Sequence, residues 1–334
     1  MAEQRARPAP YERIAVEEGF MIPEVAAAAR AMNEQTGLPR PPTEARRLMF
    51  MDQVDLGERR LAAMDADGIT KQILVIGSPG VQVFNPVQGY ELSQLVNDRL
   101  AAACKAHPTR FAGLAALAPQ DPAGAAKELG RAVETLGLKG ALINSHTHGE
   151  YLDDRKFWGI FETAQALDVP IYLHPREPSP GMAGPLDMPG YRVAWGYGVE
   201  TGTHVMRLIA GGVFDQFPNL KIVIGHMGES IPFTLDRIDN RYLWELEIGG
   251  FARTIKELPS HYFRNNIIVT TSGMNYRLPF MMTLELLGVD NLLFAADWPF
   301  EIQRDAVDAM DAMPLSDDDR AKIYHLNAKR VFKL

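Results

Sequence analysis

Four side chains able to bind a metal or move a proton stand at the ends of short apolar runs. RIAVE closes on Glu17, with Glu18 next to it; PIYLH closes on His174; KIVIG leads into His226; and NLLFAA leads into Asp297. Two imidazoles and two or more carboxylates converging on one point make a set of nitrogen and oxygen donors for a divalent cation. Each has a plainer reading. A histidine is more often a hydrogen-bonded structural residue than a ligand, Asp297 is placed to cap a helix, and Glu17 or Glu18 is free to face water. Their shared position argues for the metal reading, because a charge directly after an apolar run is costly unless paired or metal-bound. Glu17 and Glu18 are adjacent, so on a strand they face opposite sides and only one can reach such a cation.

The elements that would position them recur through the whole chain. Eight runs rich in Val, Ile, Leu and Ala begin near residues 13, 72, 111, 140, 170, 221, 266 and 291. They are nearly continuous in apolar character, as strands of a buried parallel sheet are. Amphipathic stretches such as ELSQLVNDRLAAACKAH and AGAAKELGRAVETLG separate them, several stopping at Gly or an Asn/Pro turn. Eight strand–helix repeats predict an α/β protein with a (β/α)₈ TIM barrel over one domain, residues 1–334, whose active site lies at the C-terminal strand ends. No glycine-rich nucleotide loop follows any strand. Three segments are too long for simple connections: an insertion at 20–60, the Pro/Gly-rich 175–200 and 240–265. They are expected to distort the barrel and roof its C-terminal face.

Composition narrows the class. The chain has 334 residues, 46% of them hydrophobic, with 34 Lys and Arg against 42 Asp and Glu for a net charge of −8. A mildly acidic chain without a basic block excludes nucleic acid as the main partner. No apolar run reaches membrane-spanning length, the N-terminus lacks a secretory signal's apolar stretch, and Cys104 is the single cysteine, so a cytoplasmic enzyme is expected. Cys104, in LAAACKAH, reads as a small buried residue of a helix.

The stretches IAVEEGF, MDADGI, SPGVQ, APQDP, INSHTHGEYLD, YLHP, GVETGTHVMRLIAGGVFD, IGHMGES, TTSG and ADWPFE together resemble the amidohydrolase-related decarboxylases, the family of aminocarboxymuconate-semialdehyde decarboxylase. Within it they are most similar to the branch acting on γ-resorcylate and 5-carboxyvanillate. The resemblance implies a carboxy-lyase that removes a carboxylate from a hydroxylated aromatic acid without oxidation. It implies Glu17, His174 and Asp297 as metal ligands, His226 beside the metal with Glu229 supporting it, and Arg237 holding substrate. The γ-resorcylate enzymes usually carry E-x-H on the first strand; here Gly19 takes the third place. The remaining set, one imidazole and two carboxylates, is hard enough to favour Mn²⁺, with Zn²⁺ as the alternative.

On this reading Asp297 delivers a proton to the ring carbon that bears the carboxylate, His226 assists the departing group and Arg237 orients the ring. Phe20, Phe300 and Tyr242 are candidates for the pocket wall, with core packing as their plainer role, and Arg46 or Arg59 for a second substrate contact, with surface solvation as theirs. His146 and His148 fall on the wrong strand for ligands and read as supporting or loop residues. His204 is expected to start a helix near the mouth, and His107, His261 and His325 receive no role. A small aromatic acid is the expected partner, and relatives suggest a dimer or tetramer. Two rivals stand: a hydrolase on the same barrel using a metal-activated water, and a catalytically silent barrel serving as a binding or assembly subunit.

Overall fold

The computed structural model describes residues 11–35, 43–186 and 188–334. The first ten residues, on which the reading of the N-terminus rests, lie outside these. Among the described residues nine strands form: β1 (Ile14–Phe20), β2 (Lys71–Ile76), β3 (Phe111–Gly113), β4 (Ala115–Ala116), β5 (Ala141–Asn144), β6 (Ile171–His174), β7 (Ile222–Ile224), β8 (Ile267–Thr270) and β9 (Leu292–Leu293). They match the eight apolar runs, with β3 and β4 being one run interrupted at Leu114. All neighbours pair in parallel, in two sheets ordered β1-β2-β3 and β4-β5-β6-β7-β8-β9. Backbone bonds join the sheets at both margins. Leu114 donates to Leu74 O at 3.0 Å, and Val16 donates to Phe294 O, just past β9, at 3.2 Å. The last strand is thus tied back to the first, as a (β/α)₈ barrel requires.

The strands are buried along almost their whole length, because helices cover the faces a parallel sheet turns outward. Helix starts follow local chemistry. Asn85 caps Pro86–Ala106 by accepting from the Gln88 N–H, Asp121 caps Pro122–Glu134 by accepting from Gly124, and both helices carry Pro in the first turn. Gly68, at φ 70°, ends Glu58–Asp67 and turns the chain into β2.

The three long segments are more helical than expected. The insertion holds Pro23–Gln35, Glu44–Val54 and the start of Glu58–Asp67; residues 36–42 lie outside the described set. The second segment holds Pro180–Leu186, a π-type turn at Arg192–Gly196 and the start of Tyr197–Ala210. The third is entered by the long helix Ile231–Glu247 and left by Pro259–Asn266. His204 accordingly sits inside Tyr197–Ala210 rather than at its start. Among the described residues, no helix is long and apolar enough to cross a membrane.

Candidate active site

Glu17 stands in the middle of β1, which runs on past it to Phe20, and has no exposed surface. Its Oε2 accepts from the Thr270 hydroxyl at 3.0 Å, and its Oε1 is buried without a hydrogen-bond partner, 3.7 Å from His174 Nε2. His174 ends β6. Its Nδ1 lies 2.9 Å from Asn144 Oδ1 and 2.8 Å from Pro175 O. Two acceptors at Nδ1 place the proton there and leave the Nε2 lone pair facing Glu17. Burial lowers the His174 pKa, against the pull of Glu17, which keeps the ring neutral, as a ligand must be.

Asp297 follows β9 at φ 64°, in the left-handed region that an aspartate tolerates better than most residues. Its Oδ1 is buried without a partner, and its Oδ2 lies 3.8 Å from His226 Nε2. Burial pushes its carboxyl up to about 7, with His226 pulling downward and Glu17 adding to the rise. Donor atoms of Glu17, His174 and Asp297 all lie within 4.8 Å of one another. Two buried carboxylate oxygens with no partner, facing an imidazole lone pair, are a costly arrangement unless a cation sits among them. The residues therefore fit a divalent ion, with one nitrogen and two carboxylates as donors.

Four residues that sequence reasoning did not single out shape this group. Thr270 holds Glu17, and Asn144 fixes the His174 tautomer. Ser272 Oγ accepts from the His226 N–H at 3.1 Å. Gly225 leaves open the space around Glu17: a Cβ there would fall 2.8 Å from Oε1. All four lie in stretches that carry the family resemblance, Asn144 in INSHTHGEYLD, Gly225 in IGHMGES, and Thr270 and Ser272 in TTSG, but nothing in their type marked them out.

His226 opens a turn in which five consecutive residues, His226 to Ser230, have positive φ. Four of the five are not glycine, and such backbone persists only where the surroundings over-determine it. The turn brings His226 Nδ1 within 2.9 Å of Glu229 Oε1. Burial opposes charge on the ring, but the Glu229, Asp297 and Glu17 carboxylates outweigh it and raise the His226 pKa well above 6.5.

Glu18 faces away from this group. Its Oε1 accepts from the Ala296 N–H and its Oε2 from the Trp298 N–H, both at 3.0 Å. Burial pushes its pKa up to about 8, while those two donors and the Arg60 guanidinium favour the carboxylate. Arg60, fully buried, donates to Gly19 O at 2.6 Å and lies 4.5 Å above the Trp298 ring. Glu18 and Arg60 thus lock the segment carrying Asp297 onto β1.

The expected substrate residues are dispersed. Phe20 has no exposed surface: two positions after Glu18, it turns into the core and gives a ligand nothing to touch, which corrects its assignment as a wall. Tyr242 packs edge-on against Phe251, 5.2 Å between ring centres. Arg46 and Arg237 are exposed, on Glu44–Val54 and Ile231–Glu247; Arg59 pairs with Asp52 at the surface. Phe300 is 43% exposed, three residues past Asp297. His146 and His148 brace loops, bonding Glu177 O at 3.0 Å and Phe84 O at 3.1 Å.

A family model described as amidohydrolase matches residues 42–334. The chain belongs to the amidohydrolase family. Glu17 lies ahead of the matched region, but solved structures of the family extend over it. A 5-carboxyvanillate decarboxylase from Novosphingobium aromaticivorans, in complex with manganese and 4-hydroxy-3-methoxy-5-nitrobenzoic acid, is 36% identical with a TM-score of 0.95, and the match covers 100% of both chains. A dihydroxybenzoic acid decarboxylase from Polaromonas sp. JS666, with manganese and the inhibitor 2-nitroresorcinol, is 36% identical with a TM-score of 0.87, covering 97% of each chain. Among curated relatives, the γ-resorcylate decarboxylase of Polaromonas sp. strain JS666 is 40% identical over 291 residues, 84% of this chain and 88% of its own.

Proposed function

We propose that this amidohydrolase-family chain is a metal-dependent, non-oxidative decarboxylase of a hydroxylated aromatic acid resembling 5-carboxyvanillate or γ-resorcylate. The observation that carries the reading is the buried Glu17–His174–Asp297 group, with donor atoms within 4.8 Å and two unpaired carboxylate oxygens. Relatives named as decarboxylases, and solved with manganese, favour this over hydrolysis on the same barrel.

Glu17, His174 and Asp297 would hold a divalent cation, Mn²⁺ by the hardness of the donors, which would supply positive charge for the acid's carboxylate and ortho hydroxyl and would acidify the phenol. The chain's own residues do the rest. Asp297, whose Oδ2 lies 3.8 Å from His226 Nε2, delivers a proton to the ring carbon that bears the carboxylate. That carbon becomes tetrahedral. Its bond to the carboxylate then breaks, the electron pair returns to the ring, CO₂ leaves, and the delivered proton stays in the product. Asp297 recovers its proton from solvent before the next turnover. His226, its Nδ1 held by Glu229, presents Nε2 to the Asp297 side of the site and stabilises negative charge there. Arg237 and Arg46, both exposed, are available to a second substrate oxygen, and Phe300 and Tyr242 to its ring. A homo-oligomer, dimer or tetramer, belongs to the same proposal and is supported by the exposed rings of Trp195 and Trp244. So does a cytoplasmic location, which rests on the single cysteine.

The test is a panel of ortho-hydroxybenzoates followed by ultraviolet absorbance, with and without Mn²⁺, in ¹⁸O-labelled water. Metal-dependent CO₂ release with no label in the phenolic product supports decarboxylation. Label in the product moves the chain to the hydrolases, and a purified chain that takes up no Mn²⁺ makes it a silent barrel. Asp297→Asn should lose metal affinity, turnover or both; full activity in that variant discards its role.

A further inference from the structure

Gly19 is the residue on β1 that follows the Glu17 and Glu18 pair, and its lack of a side chain has a steric cause. A Cβ built on it would lie 2.8 Å from Phe300 Cε2 and 3.5 Å from Phe300 Cδ2 and from Trp298 O. Its φ is outside the left-handed region, so its backbone conformation would accept other residues. What fills the space is the ring. Neither partner is free to drift. The Gly19 N–H donates to Trp298 O at 2.7 Å, and its carbonyl accepts from Arg60 at 2.6 Å. The Phe300 N–H donates to Asp297 O at 2.9 Å, and the Glu301 N–H to the same oxygen at 3.0 Å. The ring is thereby tied to the residue that contributes a carboxylate to the Glu17–His174–Asp297 group.

Side chains alternate along a strand. Glu18 turns to the backbone of Ala296 and Trp298, and Phe20 turns into the core, so in the regularly paired stretch from Glu18 to Phe20 position 19 faces the other way; Glu17, just ahead of it across a register shift, also sends its carboxylate away from the Glu18 side, to Thr270 and His174. A longer residue at 19 would be the second donor that β1 could send to a cation held there.

We propose that Phe300, seated on Gly19, is a specificity-determining residue: its ring occupies the place of a second β1 donor and holds the protein's share of the metal's ligands at one imidazole and two carboxylates. This rests on the metal reading above. A site kept poor in nitrogen favours harder cations over zinc, because each added imidazole shifts preference toward zinc.

The experiment compares the full-length wild type with Gly19→His, Phe300→Ala and the double variant. Zn²⁺ and Mn²⁺ dissociation constants come from chelator competition, and melting temperatures from the chelator-treated proteins. The double variant is expected to bind Zn²⁺ tighter than Phe300→Ala by about tenfold or more and to raise the Zn²⁺/Mn²⁺ preference. Gly19→His alone should gain nothing, because the ring denies the imidazole its place. In the metal-free proteins Gly19→His should lower the melting temperature more when Phe300 is present than when it is Ala. If Gly19→His does not fold, Gly19→Ala carries the same thermal cycle with a single methyl, and the comparison of the double variant with Phe300→Ala still reads the donor. Zn²⁺ affinity rising equally in Gly19→His and in the double variant overturns the proposal, as does a double variant that gains none, or melting shifts that simply add. A wild type that binds neither ion refutes the metal reading separately, since the melting cycle needs no metal.

Discussion

Asn144 Oδ1 lies 2.9 Å from His174 Nδ1, across the step from β5 to β6 that pairs these same two residues in register. The contact decides which ring nitrogen carries the proton and so which one is free to bind a metal. Asn144 is itself held, its N–H donating to Gln82 Oε1 at 2.6 Å. Removing such an orienting partner typically costs about 10–100-fold in metal affinity. Asn144→Ala should weaken Mn²⁺ binding within that range, while Asn144→Asp, which keeps an acceptor at Nδ1, should retain most of it. Chelator competition reads both. Equal Mn²⁺ affinity in wild type and Asn144→Ala would show that Pro175 O suffices.

Gly225 makes a second prediction, of a purely spatial kind. Its φ of −79° and ψ of −173° suit any residue, yet a Cβ would fall 2.8 Å from Glu17 Oε1 and 3.1 Å from Ser272 Oγ. Gly225→Ala should displace the Glu17 carboxylate and abolish measurable Mn²⁺ binding by calorimetry. Gly130, inside Pro122–Glu134, is the control, because a methyl added there would meet nothing within 4 Å. Gly130→Ala should leave metal binding intact and raise stability by about 0.4–1 kcal/mol. Normal metal binding in Gly225→Ala would mean that the Glu17 side chain has room to retreat.

These two residues also show where sequence reading stops. Glu17, His174, His226 and Asp297 were legible because a charged or ionisable group directly after an apolar run is conspicuous, and the runs were legible because strands covered on both faces need apolar residues almost throughout. Asn144 and Gly225 also end strands, but an amide and a glycine there are ordinary, and their roles exist only through a neighbour brought close by the fold. The helix Tyr197–Ala210 was hidden in its first turns, ahead of His204, for a different reason. Its approach, PGYRVAWGYG, is rich in glycine and aromatic residues with poor helical propensity, and burial of Thr201, Gly202 and His204 supplies what propensity lacks. Phe20 was misread because an aromatic residue beside a site looks the same in sequence whether it faces the core or the mouth.

Glu18 yields a third prediction. It bridges the N–H groups on either side of Asp297, so its effect on the metal site is indirect. In Glu18→Gln one oxygen becomes an NH₂ facing a backbone donor, leaving a buried N–H unpaired at a cost of about 1–3 kcal/mol. The variant should melt at a lower temperature and bind Mn²⁺ more weakly, although Glu17, His174 and Asp297 are all retained. Lower stability with unchanged Mn²⁺ affinity would show that the brace supports the barrel alone and does not position Asp297.

The fourth prediction concerns acid. His204 is fully buried; its Nε2 accepts from the Leu152 N–H at 2.9 Å, which puts its proton on Nδ1, 3.3 Å from Ser145 Oγ. Burial, with the charges of His146 and Arg207, lowers its pKa to about 3, whereas an unfolded chain's histidine titrates near ~6.5. Between those values the unfolded state binds the proton that the folded state refuses, so stability falls as pH falls. The contribution is fully present above about 6.5 and is lost progressively from there toward the folded value. His146, whose pKa burial also lowers, acts in the same direction. His204→Gln keeps an acceptor for Leu152 but has nothing to titrate. Melting temperatures of the chelator-treated proteins from pH 8 to 5 should therefore fall more steeply in the wild type than in His204→Gln, the two curves converging as the pH drops. Parallel curves across that range would mean that His204 is protonated as readily in the folded chain as in the unfolded one.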